Sequence, residues 1–137
     1  MFENIKLPEG NWKPRWYVCK VTTGQAAGSV GENTITLDAR DFICVMMTHA
    51  IEGVAKTAQH GDYAISIRDN KTTYQNLPIN ANAMLGSVFD SRPIPLPRPI
   101  YYTGSSTITV STQNLRLRTE VSGNWILDLV MMGFEKV

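Results

Sequence analysis

Four prolines stand at every second position in Arg92-Pro93-Ile94-Pro95-Leu96-Pro97-Arg98-Pro99, and no other feature constrains this chain as strongly. Each ring fixes φ, removes a backbone donor and pushes the preceding residue out of the helical region, so residues 92–99 must run extended. Such a run has the form of an SH3-type ligand, but within a small domain it reads first as a crossing or an edge segment of a sheet, where missing donors are tolerated. The chain has 137 residues, enough for one domain with a core that needs no staples. With 43% hydrophobic and 18% charged residues it is too apolar and too weakly charged for a disordered chain.

Strand signals recur on both sides of the proline run. Residues 15–22 are rich in aromatic and β-branched side chains, and residues 33–37 alternate, with Ile35 and Leu37 on one face. Residues 42–51 are more continuously apolar and read as a buried strand. Tyr63, Ile65 and Ile67 share one parity against Ser66 and Arg68, and Asp69-Asn70-Lys71 supplies a turn. Residues 107–112 alternate cleanly, and residues 125–134 form a strongly apolar run expected to be a central core strand. Residues 24–31 are a glycine-rich loop, and residues 79–85 are the one stretch with modest helical character. The expected architecture is all-β, an antiparallel sandwich or jelly roll forming a single domain over residues 15–137. Residues 1–14, with Pro8, Gly10 and Pro14, read as an extended N-terminal arm. Its aromatics, Phe2 and Trp12, either fold back on the domain or dock onto a neighbouring molecule, and the sequence leaves both open.

Motifs that carry chemistry are sparse. Cys19 and Cys44 lie in apolar runs and read as buried free thiols. His49 sits in an apolar strand and His60 in a loop, without the clustered histidines and carboxylate of a cupin-type metal site. Asp38-Ala39-Arg40-Asp41 reads as a turn in which Asp41 caps the backbone, rather than as a catalytic carboxylate pair. No nucleophile motif occurs, and the glycines at 24, 28 and 31 precede no helix, so no catalytic, cofactor-binding or metal site is assigned and no enzyme is expected. A formal charge of +1 argues against a dedicated nucleic-acid binder. No apolar run reaches the ~20 residues of a membrane helix, and the first residues lack the pattern of a signal peptide, so synthesis in the cytoplasm is expected. Arg92, Arg98, Arg116 and Arg118 crowd the second half. As guanidinium groups suited to interfaces, they join Phe2 and Trp12 as candidate partner contacts.

The second half also carries an ordered pattern. Residues 62–69 (DYAISIRD) are followed by Gln75-Asn76-Leu77-Pro78-Ile79, then Leu85-Gly86, the proline run, Ser105-Ser106-Thr107-Ile108-Thr109-Val110, Asn114, and a terminal apolar strand through Gly133 and Phe134. In this layout, over residues 15–135, the chain resembles the small jelly-roll cement and decoration proteins of tailed bacteriophages, the capsid-cementing proteins of Bordetella podophages among them. The resemblance implies a non-enzymatic virion component, made in the host cytoplasm, that binds the outside of the major capsid protein shell and stabilises it. It also implies a homo-oligomer, a dimer or trimer. Phage collar, tail and fibre jelly rolls share such features. A carbohydrate-binding β-sandwich with a platform drawn from Trp12, Trp16 and Tyr101 or Tyr102 is a further alternative; the two tyrosines face opposite ways in an extended segment.

Overall fold

The computed structural model describes residues 7–52, 63–69, 79–80, 94–115, 117 and 123–137. Among them the chain forms strands β1 (Trp12–Thr23), β2 (Val30–Thr36), β3 (Phe42–Ile51), β4 (Tyr63–Asp69), β5 (Ile79–Asn80), β6 (Ile94–Tyr102), β7 (Thr107–Asn114) and β8 (Trp125–Lys136). Two four-stranded sheets result, in the orders β1-β8-β3-β6 and β2-β7-β4-β5. Every neighbouring pair is antiparallel, and the two sheets enclose one core as an all-β sandwich.

The strands form where alternation meets a shared interior. Tyr17, Cys19 and Val21 of β1 and Trp125, Leu127, Leu129 and Met131 of β8 point inward from the first sheet. Tyr63, Ile65 and Ile67 of β4 meet them from the second, with Ile108 and Val110 of β7. Each such side chain contributes ~1.5–3 kcal/mol on leaving water. β8 lies between β1 and β3, as its apolar run predicted. Its inward residues are sealed, and Val130, Met132 and Phe134 on its other side are half-buried.

Polar pairs bridge the sheets. Thr23 and Thr112 share a hydroxyl–hydroxyl bond of 2.6 Å, and the Tyr63 hydroxyl is bonded to Nδ1 of His49. His49 is therefore a core histidine facing its partner across the interior, beside the Tyr63–Trp125 ring contact at 5.3 Å. At one end of the sandwich, Asn114 Nδ2 donates to the carbonyls of Gln25 and Ala26 at 2.8 and 3.1 Å. Trp125 Nε1 donates to that of Gly24 at 3.1 Å. These bonds satisfy the carbonyls of the β1–β2 loop, which no ladder reaches.

β3 contains a bulge. Cys44 pairs with Gly133 and Met46 with Met132, so Val45 is an extra residue on β3. Before it, Phe42 and Cys44 face the core; after it, Met47 and Ile51 do, and Ile43, Val45 and Met46 all pack on the opposite side. Gly133 sits against this kink, where a Cβ would strike the carbonyl oxygen of Ile43. Gly31 does the same for the corner between the sheets, since a Cβ there would collide with the carbonyl of Thr22.

The proline run is an edge strand. Among the described residues β6 pairs only with β3, through Ile94, Pro95 and residues 100–102. Prolines at alternate positions strip donors from one side of a strand, which an edge accommodates on its free side. Two expectations change. β1 starts at Trp12, so residues 12–14, expected within the arm, are strand; Pro14 is accommodated because β1 is the other edge of the sheet. Ile79 and Asn80, expected to have helical character, pair with Ile65 and Ala64 as strand, because an open position beside β4 outweighs a weak local preference. The turn at 70–71, residues 81–85 and His60 lie outside the described residues.

Candidate interaction face

The two outer faces of the sandwich differ in chemistry. On the second sheet, register aligns Thr34 with Thr109 and Thr36 with Thr107, and places Glu32, Ser111 and Ser66 in one row. Thr34 and Thr109 are 3.1 Å apart at their hydroxyls, and Arg68 bridges to Glu32 at 2.9 Å. A shallow groove of about 170 Å³ runs between Val30, Ala64, Ser66 and Gln113. This face is largely hydroxylated, with Val30 standing 67% exposed at its edge.

The first sheet presents an apolar outer face. Its rows across β1, β8 and β3 read Pro14–Phe134–Ile43, Trp16–Met132–Met46 and Val18–Val130–Thr48. On the β3 side this surface is covered: Ile43, Val45 and Met46 are 4%, 3% and 6% exposed, with Leu7 and Trp12 packed against them. On the β1 side it is open. Trp16 is 58% and Val18 47% exposed, and Tyr101 of β6 is 47% exposed at the opposite edge. Trp16 and Val18, next to one another on β1, form the open apolar patch, and such patches mark surfaces that become covered.

Charged clusters close each end of this face. At one end Lys20 bonds both Glu52 and Asp128, the latter at 3.0 Å, one cation against two carboxylates. The Lys20 ammonium holds the Glu52 carboxyl below its ordinary range, while desolvation raises that of Asp128. At the other end Arg40 and Lys136 flank Asp41 around a cleft of about 230 Å³. Asp41 accepts from the Tyr101 hydroxyl and, at 2.8 Å, from the backbone N–H of Gly104. Both bonds, the Tyr101 one first, lower its pKa. It therefore caps the backbone, as the turn reading expected, and Asp38 is paired with Arg15 at 3.1 Å. Arg15 also stacks over Tyr17 and lies 3.6 Å from the buried carboxylate of Glu135.

Of the partner contacts read from sequence, two fall within the described residues. Trp12 folds back onto its own sheet, its indole N–H donating to the carbonyl of Pro8 at 2.9 Å. Arg98 is exposed on β6, on the edge of the sheet rather than on the apolar strip. Phe2, Arg92, Arg116 and Arg118 lie outside the described residues. From the sequence Trp16 enters only as part of a possible sugar platform and Val18 not at all; only the strand order reveals that Val130 and Met132 extend the same surface. Tyr101 and Tyr102 do face opposite ways, the second being 1% exposed. Cys19 and Cys44 are buried free thiols, and burial pushes them up to about 11 and about 12. Among the described residues no group of three or more His, Cys, Asp or Glu side chains is placed to hold a metal ion.

The site and the fold thus define an antiparallel β-sandwich with one hydroxylated and one apolar outer face. Comparison with protein-family models, curated proteins and solved structures finds no match to this chain.

Proposed function

We propose that this chain is a non-enzymatic structural protein of a tailed-bacteriophage virion, a capsid cement or decoration protein that binds the outside of the major capsid shell and stabilises it. The observation that carries the reading is the apolar outer face of β1, β8 and β3 on a sheet whose two edge strands, β1 and β6, both carry proline. That sheet is suited to burying its face against a protein neighbour rather than to adding a strand to one. The strand orders β1-β8-β3-β6 and β2-β7-β4-β5 support a jelly-roll winding, in line with the resemblance in the sequence. Repetition over a shell suits a small module, because many weak contacts held in fixed geometry add up to firm attachment.

Trp16 and Tyr101 do not favour the sugar-platform alternative. They stand on opposite edge strands of one sheet, three strand spacings or ~14 Å apart, too far to stack on one sugar ring. The test is co-sedimentation of the purified chain with empty shells of the cognate major capsid protein. Pelleting that saturates at a fixed ratio, with shells that withstand higher temperature, is the expected result. A chain left in the supernatant at saturating shell concentration overturns the capsid reading and directs the search to collar and tail assemblies.

A further inference from the structure

We infer that the side chains of Lys20 and Asp128 join covalently, the lysine amine forming an isopeptide bond with the aspartate carboxyl while Glu52 carries the protons. The inference is independent of the capsid reading and stands or falls on the chemistry of these three residues.

Strand order brings them together. β1 and β8 are neighbours, and Lys20 lies directly opposite Asp128 in their register. Nζ of Lys20 is 3.0 Å from Oδ1 of Asp128. The carboxyl carbon is therefore at most one C–O bond, ~1.2 Å, further from the amine. Glu52 follows β3, on the far side of β8. Its backbone N–H donates to the carbonyl of Ile126 at 2.9 Å, which anchors it beside the pair, and its carboxylate accepts from the same Nζ. The Glu52 and Asp128 carboxyls are also hydrogen-bonded to each other, so one base touches both the nucleophile and its target.

An ordinary cross-strand ion pair needs one carboxylate, whereas here two share one amine. Their surroundings set them apart: desolvation raises Asp128, while the hydrogen bond from Lys20 lowers Glu52. Two carboxyls separated in this way divide into an acid form open to attack and a base that removes a proton. Arg15 and Arg68, the cations of the other ion pairs described above, carry guanidinium groups that stay protonated and offer no such nucleophile.

The step balances within the triad. Glu52 takes a proton from the Lys20 ammonium, and the freed Nζ adds to Cγ of Asp128. A second proton passes from Nζ through Glu52 to the departing oxygen. The C–N bond forms, the C–O bond breaks and one water leaves. The charges of Lys20 and Asp128 disappear together, and Glu52 ends as a carboxylate. The Lys20 side chain is 57% exposed, so water reaches the bond. Closure is favoured because well-oriented groups act at effective concentrations of ~10⁵ M or more, far above that of water. The product ties the first strand to the last across 108 positions of sequence.

Intact mass spectrometry of the purified full chain, in urea after incubation at pH 7, tests the inference. The expected mass is one water below that of the sequence, and a tryptic digest is expected to contain one branched peptide joining residues 20 and 128. Lys20→Arg and Asp128→Ala are each expected to show the full sequence mass with unchanged circular dichroism. Their urea midpoints fall, because a cross-link over a long loop narrows the unfolded ensemble. Glu52→Gln is expected to slow closure about a hundredfold or more, followed as mass against time. A wild-type chain that keeps its full sequence mass, or a water loss that persists in Lys20→Arg, overturns the inference. Closure of Glu52→Gln at the wild-type rate overturns the part given to Glu52.

Discussion

Truncating Leu129 to alanine tests the central claim that β8 is held from both sides. Leu129 is fully buried, and its backbone lies between Cys19 of β1 and His49 of β3. The change removes three carbons, worth ~0.8 kcal/mol each in transfer, or ~2.4 kcal/mol. It also opens up to ~80 Å³, and at ~24 cal/mol per Å³ an unrelaxed cavity adds ~2 kcal/mol. A strand flanked by hydrogen-bonded neighbours on both sides has little freedom to collapse inward, so the loss is expected near the top of that range, ~3.5–4.5 kcal/mol. The assay is urea denaturation followed by tryptophan fluorescence, since Trp125 lies in the same core. The expected result is a lowered midpoint at unchanged slope. Val130→Ala is the control: the neighbouring side chain on the outer face is only half-buried and is expected to cost ~1 kcal/mol or less. Equal losses for the two variants, or a loss below ~1 kcal/mol for Leu129→Ala, would refute the assignment of inner and outer faces.

Gly133→Ala places a methyl group against the carbonyl of Ile43 and is expected to destabilise by ~1–3 kcal/mol, read by the same urea titration. Asp41 is held below the usual carboxylate range, so its contribution is present above its unfolded pKa of ~3.9 and is lost as pH falls through the lower folded value. Asp41→Asn is therefore expected to reduce stability at pH 6 and to flatten the acid side of the stability–pH curve; a variant with the wild-type acid slope contradicts this. Cys19 and Cys44 are buried with raised pKa values, so a maleimide at pH 7 is expected to label neither in the folded chain and both in urea, counted by mass spectrometry.

What the residues disclosed follows from how local each signal is. Period-two alternation at residues 63–67 and 107–112, and the apolar run at 125–134, depend on which face is dry, and the strands form there. The edge position of the proline run was legible because a missing donor is a property of the residue itself. The start of β1 was not. Trp12, Lys13 and Pro14 lack alternation and become strand because Lys136, Glu135 and Phe134 of β8 lie opposite them, 120 positions or more along the chain. β5 was masked for the same reason, its order coming from β4. The interaction face shows the limit most plainly. Trp16 and Val18 look like one half of an ordinary amphipathic strand, and only their placement beside Met132 and Val130 turns two exposed residues into a surface. Charged residues drew attention in the second half of the sequence, yet the clusters that frame the face combine Lys20, Glu52 and Asp128 at one end and Arg40, Asp41 and Lys136 at the other, each gathered from distant parts of the chain.

The bulge at Val45 has a further consequence for how this sequence can vary. The two halves of β3 run out of phase, one presenting even and the other odd positions to the core. Loss of the single extra residue would be a frame error in three dimensions. Either Phe42 and Cys44 or Met47, His49 and Ile51 would turn out of the core onto the outer side of the sheet, although no apolar side chain had been replaced. Drift in this lineage can exchange the side chains of β3 far more freely than it can change their number.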